Sequence, residues 1–307
     1  MNKLQEDKGS SKSIEHQPSE TAMATATLRA LAAHDDRMEI RGADYLAELF
    51  LTEDRKASLK DPGVRQWVMK NKIAPGAYEF MIARTAFFDH AVKEALIENL
   101  PQLVFLGAGY DSRPYRFKDL AVGTRIFELD AKPTQDCKKE VLEQAGISFP
   151  SSLSLVPIDF NKDDLKDILL SAGFSKDQKV LFVWEGVTYY LPAKAVEDTL
   201  AAIRAISCPG SSVCFDYASL SAEAMSEEGA KRIREHMKSK FSAEPTRFGI
   251  PQGKIDAFLA ECGYAVIEHL NHSEMETRYL TLRDGSTAGK VPSLFCFVRA
   301  ALAGKAP

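Results

Sequence analysis

Four short apolar runs, spaced through the middle of the chain and each closed by a glycine pair or an acid, constrain the fold more than any other feature. They are LVFLGAG (103–109), RIFELD (125–130), LSLVPIDF (153–160) and KVLFVWEG (179–186). Between them lie helix-compatible segments, CKKEVLEQAG and KDDLKDILLSAG, each stopped by glycine. LPAKAVEDTLAAIRAI follows with Pro192 near its start and Val196, Leu200 and Ile203 on one face, and SSVCFDYA then supplies a fifth strand. Strands alternating with helices predict a parallel sheet covered on both faces.

The flanks depart from this rhythm. Residues 21–60 read as helical, and RTAFFDHAVKEALIEN predicts a helix that Pro101 closes. Near the end, IDAFLAECGY predicts a helix stopped at Gly263, followed by a strand AVIEHL. A turn-rich stretch, NHSEMETRYLTLRDGSTAGKVP, leads to a last strand, SLFCFVRA, expected to close the sheet antiparallel in a hairpin-like manner. Residues 1–20 are polar and are expected to form a disordered tail without a secretory leader, leaving 21–307 as one domain.

Composition narrows the function class. The 307 residues carry a formal net charge of -4, which gives no electrostatic footprint for nucleic acid or an anionic membrane surface. No apolar run approaches the roughly 18 residues of a membrane helix. Cys137, Cys208, Cys214, Cys262 and Cys296 show no CxxC pairing, so free thiols in a cytoplasmic protein are expected, with neither a disulfide framework nor a metal site.

In an open parallel sheet, ligands bind beyond the carboxyl ends of the strands. The residues there are Gly107, Ala108 and Gly109, then Asp130, then Asp159 with Phe160, then Glu185. The glycines let backbone approach a ligand closely, and Asp130, 23 positions after Gly107, is placed to accept both hydroxyls of a ribose. Asp159 and Phe160 offer an adenine an acceptor and an apolar contact. A GxG turn with an acid does not itself choose between NAD and S-adenosylmethionine. Ser112, standing where a dinucleotide fingerprint has its third glycine, and Tyr110, Arg113 and Pro114, crowding the place of a pyrophosphate, disfavour NAD.

ARTAFFDHAV, LVFLGAGYDSRPYRF, FELDAKPTQDCKKEVL, PIDFN and VWEGVTYYLP, in that order and spacing, resemble the leucine carboxyl methyltransferase family, and its small-molecule O-methyltransferase branch in particular. The resemblance is strongest over about residues 80–200. It implies a Rossmann-like class I methyltransferase sheet and S-adenosyl-L-methionine as cofactor. It assigns Arg84 to the methionine carboxylate, Gly107 and Gly109 to the amino-acid and ribose part, Asp130 to the ribose, Asp159 and Phe160 to the adenine, and Glu185 to the amino group and sulfonium end. It also accounts for Phe105, an apolar residue where most methyltransferases carry an acid. The function so implied is O-methylation of a small-molecule carboxyl or hydroxyl. Methylation of a protein C-terminal carboxylate and a non-catalytic cofactor-binding module are the alternatives.

Two stretches outside the alternation, 21–80 and about 219–250, are expected to cover the substrate. Tyr189 and Tyr190 are weak candidates for a catalytic role, and His34 and His272 enter as bases only by elimination.

Overall fold

The computed structural model describes residues 19–160, 162–240 and 247–303; of 236–240 only the backbone is described. The expected N-terminal tail lies outside these residues except for its last two positions. Ser19 is the N-cap of α1 (Glu20–Ala33), its side chain accepting from the Ala22 N–H. The 21–60 stretch is not one helix. After α1 come irregular turns, a 3₁₀ turn (Ala47–Phe50), then α2 (Glu53–Lys60). Asp61 and Pro62 restart the chain as α3 (Pro62–Lys72), the Asp61 carboxylate capping two backbone N–H groups and proline occupying the first turn. The long helix α4 (Ala77–Ile97) begins seven residues before the predicted start at Arg84.

The sheet follows. In chain order the elements are β1 (Gln102–Leu106), α5 (Arg113–Arg116), β2 (Arg125–Asp130), α6 (Lys132–Gln144), β3 (Leu153–Pro157), α7 (Leu165–Ser171), β4 (Val180–Trp184), a 3₁₀ turn (Thr188–Tyr190), α8 (Ala193–Ala205) and β5 (Ser212–Leu220). An insert carries α9 (Ala222–Ser226) and α10 (Glu228–Lys240), after which the chain returns through a two-residue β6 (Ile250–Pro251), α11 (Ile255–Glu261) and β7 (Tyr264–Leu270). α12 (His272–Tyr279) and β8 (Phe295–Leu302) complete it.

Strand order is β3-β2-β1-β4-β5-β8-β7, with β6 alongside the end of β5. All pairings are parallel except those of β8, which runs antiparallel to both neighbours. The closing strand is therefore antiparallel as expected, but it inserts between β5 and β7 instead of lying outside them. The order reverses at β1, whose two neighbours are β2 and β4. That reversal opens a crevice at the carboxyl end of β1.

Side-chain alternation on β1 divides the core. Leu103 and Phe105 pack on the α4 side with Phe87, Phe88 and Leu142, whereas Val104 and Leu106 pack on the side of α7, α8 and α11 with Leu169, Leu200 and Leu259. Phe105 is thus core and does not reach the strand ends. α12 forms inside the stretch whose composition predicts turns. Its start is a capping box in which Asn271 Oδ1 accepts from the Ser273 and Glu274 N–H groups while the Glu274 carboxylate accepts from the Asn271 N–H. All five cysteines are free thiols. Among the described residues, no helix is long and apolar enough to cross a membrane.

Candidate functional site

The turn after β1 is shaped by backbone. Gly107 (φ 68°) and Gly109 (φ 47°) lie in the left-handed region that side chains disfavour. A Cβ on Gly107 would stand 2.7 Å from Val187 Cγ2, because the turns after β1 and β4 approach each other across the crevice. The N–H groups of Gly107 and Ala108 both donate to the Leu129 carbonyl, at 2.9 and 3.0 Å. One residue on, the half-buried Asp130 carboxylate accepts from the Gly109 N–H at 2.5 Å and from the Ala131 N–H at 2.7 Å. Burial pushes the pKa of the Asp130 carboxyl above its ordinary value, against the pull of these two amides. The glycine turn and the acid are one hydrogen-bonded unit.

Beyond β3, Asp159 is half-buried and pairs with Lys162 at 2.5 Å, and the Phe160 ring is 43% exposed at the crevice-side end of that strand. Both lie after the last residue of β3, not within the strand as LSLVPIDF suggested.

The other side of the crevice is built from charge. Arg84 is 4% exposed on α4. Its Nε lies 3.0 Å from Glu185 Oε1, its Nη1 donates to the Tyr189 hydroxyl at 3.2 Å and to Asp216 Oδ2 at 3.5 Å, and its Nη2 donates to Met81 Sδ. The second oxygen of Glu185 accepts from Arg113 Nη1 at 2.7 Å. Glu185 is therefore clamped between two guanidinium groups. Burial works against the Arg84 charge, yet Tyr189, Glu185 and Asp216 together hold it more firmly protonated than a free arginine. The Tyr189 hydroxyl is driven far above its ordinary range, chiefly by burial and by the nearby Asp216 carboxylate. A phenol so placed keeps its proton at neutral pH. Tyr190 is half-buried with its ring edge-on to Tyr189.

The structure brings Arg84 and Glu185 into contact, and Gly109 and Asp130 likewise. His34 pairs with Glu48 and His272 faces Glu223, so each is engaged apart from the Glu185 cluster. Sequence reading missed the residues that hold these groups in place. Arg113, only 1% exposed, donates to Asp89, Asp111 and Glu185, and Arg116 donates to both Asp89 oxygens. The Ser112 hydroxyl donates to Asp44 at 2.5 Å and accepts from Arg116 Nε, while Arg29 of α1 donates to the Tyr110 carbonyl and lies 3.1 Å from Asp44. The residue replacing a third glycine thus ties the N-terminal segment to the turn. One sign was available: Asp89 stands on the apolar face of FFDHAV, and a buried acid there demands cationic partners.

The crevice suits an adenosylated amino acid. Its glycine turn presents backbone in a left-handed conformation, an acid and an exposed ring stand at neighbouring strand ends, and the buried Arg84 spends its Nη2 on a thioether, a weak acceptor. Comparison with known proteins agrees. The profile of the leucine carboxyl methyltransferase family matches residues 22–204. A Bacillus subtilis protein that carries the name of an S-adenosyl-L-methionine-dependent methyltransferase is 30% identical, over 72% of this chain and 71% of its own length. A Mycolicibacterium paratuberculosis protein of the same naming is 31% identical, over 72% of this chain and 73% of its own. Among solved structures, a Streptomyces avermitilis protein of the duf574 family superposes with a TM-score of 0.59 at 13% identity, covering 94% of this chain and 99% of that one. A Thermobifida fusca structure described as that of a methyltransferase gives 0.58 at 13% identity, covering 94% and 96%. These two likenesses concern the fold.

Proposed function

The chain belongs to the leucine carboxyl methyltransferase family and is an S-adenosyl-L-methionine-dependent methyltransferase, and from that premise we propose that it methylates an oxygen of a small molecule, a carboxylate foremost. The observation that carries the oxygen-acid reading is Tyr189. It is the side-chain hydroxyl bonded to Arg84, and its burial keeps it protonated, so it is a poor base. A carboxylate acceptor is already ionised at neutral pH and requires none.

The residues divide the work as follows. Gly107 and Gly109 leave room for the ligand backbone, Asp130 accepts from the ribose hydroxyls, and Asp159 with Phe160 flanks the adenine. Arg84 holds the methionine carboxylate through a charge-assisted contact, and Glu185 faces the ammonium and sulfonium end. The bound cofactor supplies a methyl group already activated by positive charge on sulfur. What remains to the protein is alignment of the acceptor oxygen and exclusion of water. α1 to α3 and the α9–α10 insert are suited to that covering role. The Ser293 N–H and hydroxyl both donate to Glu227 between α9 and α10, tying the insert to the loop before β8, and Gly229 approaches the Pro75 carbonyl of the N-terminal segment. Part of the predicted cover, 241–246, lies outside the described residues.

The test is turnover with isotopically labelled methyl donor against small carboxylic acids, phenols and a peptide ending in a free carboxylate. A base-labile methyl ester on a small acid is the expected product. An ether, an ester on the peptide, or binding of the cofactor without any turnover would each replace this reading with one of its rivals.

A further inference from the structure

Asp216 belongs to no motif in the sequence, yet it sits at the centre of the charged side of the crevice. It lies on β5 beside the end of β4, where Trp184 pairs with Phe215, and it is 0% exposed. Its Oδ1 accepts from the Gly186 N–H at 2.7 Å, its Oδ2 lies 3.5 Å from Arg84 Nη1, and its backbone carbonyl accepts from the Thr188 hydroxyl at 2.5 Å. One residue thereby pins α4, the turn after β4 and the 3₁₀ turn that carries Tyr189.

For stability alone this is an expensive arrangement, because a buried carboxylate needs close and complete pairing. Here it has the Gly186 amide, its own backbone N–H and one long ion pair. The cost becomes intelligible from what Arg84 is left to do. With Nη1 committed to Asp216 and Tyr189 and Nε facing Glu185, the guanidinium is held from two sides, and Nη2, whose described acceptor is only the Met81 sulfur, is the edge left to present.

We propose that Asp216 is a positioning residue for the methyl donor: its carboxylate fixes the Arg84 guanidinium and the Gly186 turn in the arrangement that receives the amino-acid end of the cofactor. The inference rests on the reading of the site given under Proposed function. The charged and titratable groups that face Asp216 are Arg84 from α4, Glu185 after β4 with Arg113 behind it, Tyr189, and the buried Cys214 thiol two residues back on β5. Burial pushes the Asp216 carboxyl up to about 6, with Arg84 and the Gly186 N–H pulling it down. The ionised form is the one that orients Arg84, so the contribution is present above that value and is lost as pH falls through it.

The experiment is calorimetric titration of wild type and Asp216→Asn with S-adenosylhomocysteine and with adenosine, repeated from about pH 5 to about pH 8. An asparagine that keeps the Gly186 contact through Oδ1 turns its amide N–H groups toward Arg84, donor against donor. S-adenosylhomocysteine should therefore bind about tenfold or more weaker in the variant, while adenosine changes by less than about twofold. The wild-type preference for S-adenosylhomocysteine over adenosine should decline as pH falls through about 6, and the preference of the variant should stay flat. A variant that binds S-adenosylhomocysteine as wild type does, or that loses both ligands equally, would overturn the proposal while leaving the cofactor reading intact. Wild type that binds neither ligand would overturn both. If the variant does not fold, the wild-type series decides alone, and a preference that does not move across this pH range would overturn the proposal.

Discussion

The two sides of the crevice solve the problem of holding a ligand in different ways. On the β2–β3 side the groups are backbone amides, a half-buried Asp130 and an exposed Phe160, and their contacts join residues about twenty positions apart or fewer, as Gly109 joins Asp130. On the β4–β5 side the groups are buried charges, and their contacts cross the chain: Arg84 meets Glu185 and Asp216, and Arg113 meets Asp89, Asp111 and Glu185. The first side can lose a group and leave the fold standing. In the second, each charge is another's compensation, so function and stability are hard to separate there.

Arg113→Ala should show this most strongly. It strips a cation from three buried carboxylates at once, and removal of one partner from a buried pair typically costs about 3–5 kcal/mol. Denaturant unfolding of the variant is the check, and a loss below about 1 kcal/mol would mean that Asp89 and Asp111 are already satisfied by Arg116 and the backbone.

Asp130→Ala should act on binding. Loss of hydrogen bonds to a charged acceptor predicts about 1.5–3 kcal/mol weaker binding of S-adenosylhomocysteine and of adenosine alike, since both carry the ribose. Titration with the two ligands tests it; a loss for S-adenosylhomocysteine alone would place Asp130 at the wrong end of the cofactor. The smallest effect belongs to Ser112→Ala, which removes a hydroxyl between Asp44 and Arg116 but leaves Asp44 close to Arg29. It should cost about 1 kcal/mol of stability by thermal unfolding with cofactor affinity unchanged. A drop in affinity as large as that of Asp130→Ala would show that the tether to the N-terminal segment is part of the binding site itself.

The same division explains what could be read from the sequence. The glycine turn and Asp130 were legible because they lie at consecutive strand ends of a regular alternation, and the strand-end rule alone brings them together. RIFELD matches β2 residue for residue. The clamp around Glu185 was not legible, since Asp89, Arg113 and Asp216 sit in separate elements and only the tertiary fold makes them neighbours. The family resemblance singled out Arg84 but could not show that two carboxylates and a phenol already engage it. The place of β8 between β5 and β7 was equally hidden, because local pattern carries strand identity and not strand order. α12 was readable in principle: Asn271 and Glu274 spell its capping box, but the polar, turn-rich composition around them outweighed that signal.

The central claim is that the charged side of the crevice recognises the amino-acid end of the methyl donor, and Arg84→Lys tests it most directly. Lysine keeps the charge but lacks the planar guanidinium that faces Glu185, Tyr189 and Asp216 with Nε and Nη1 while presenting Nη2. Calorimetry on wild type and variant with S-adenosylhomocysteine and adenosine should show the first weakened by about tenfold or more and the second, which has no carboxylate, almost unchanged. Equal losses for the two ligands, or none for either, would contradict the claim and return Arg84 to a purely structural place among Glu185, Tyr189 and Asp216.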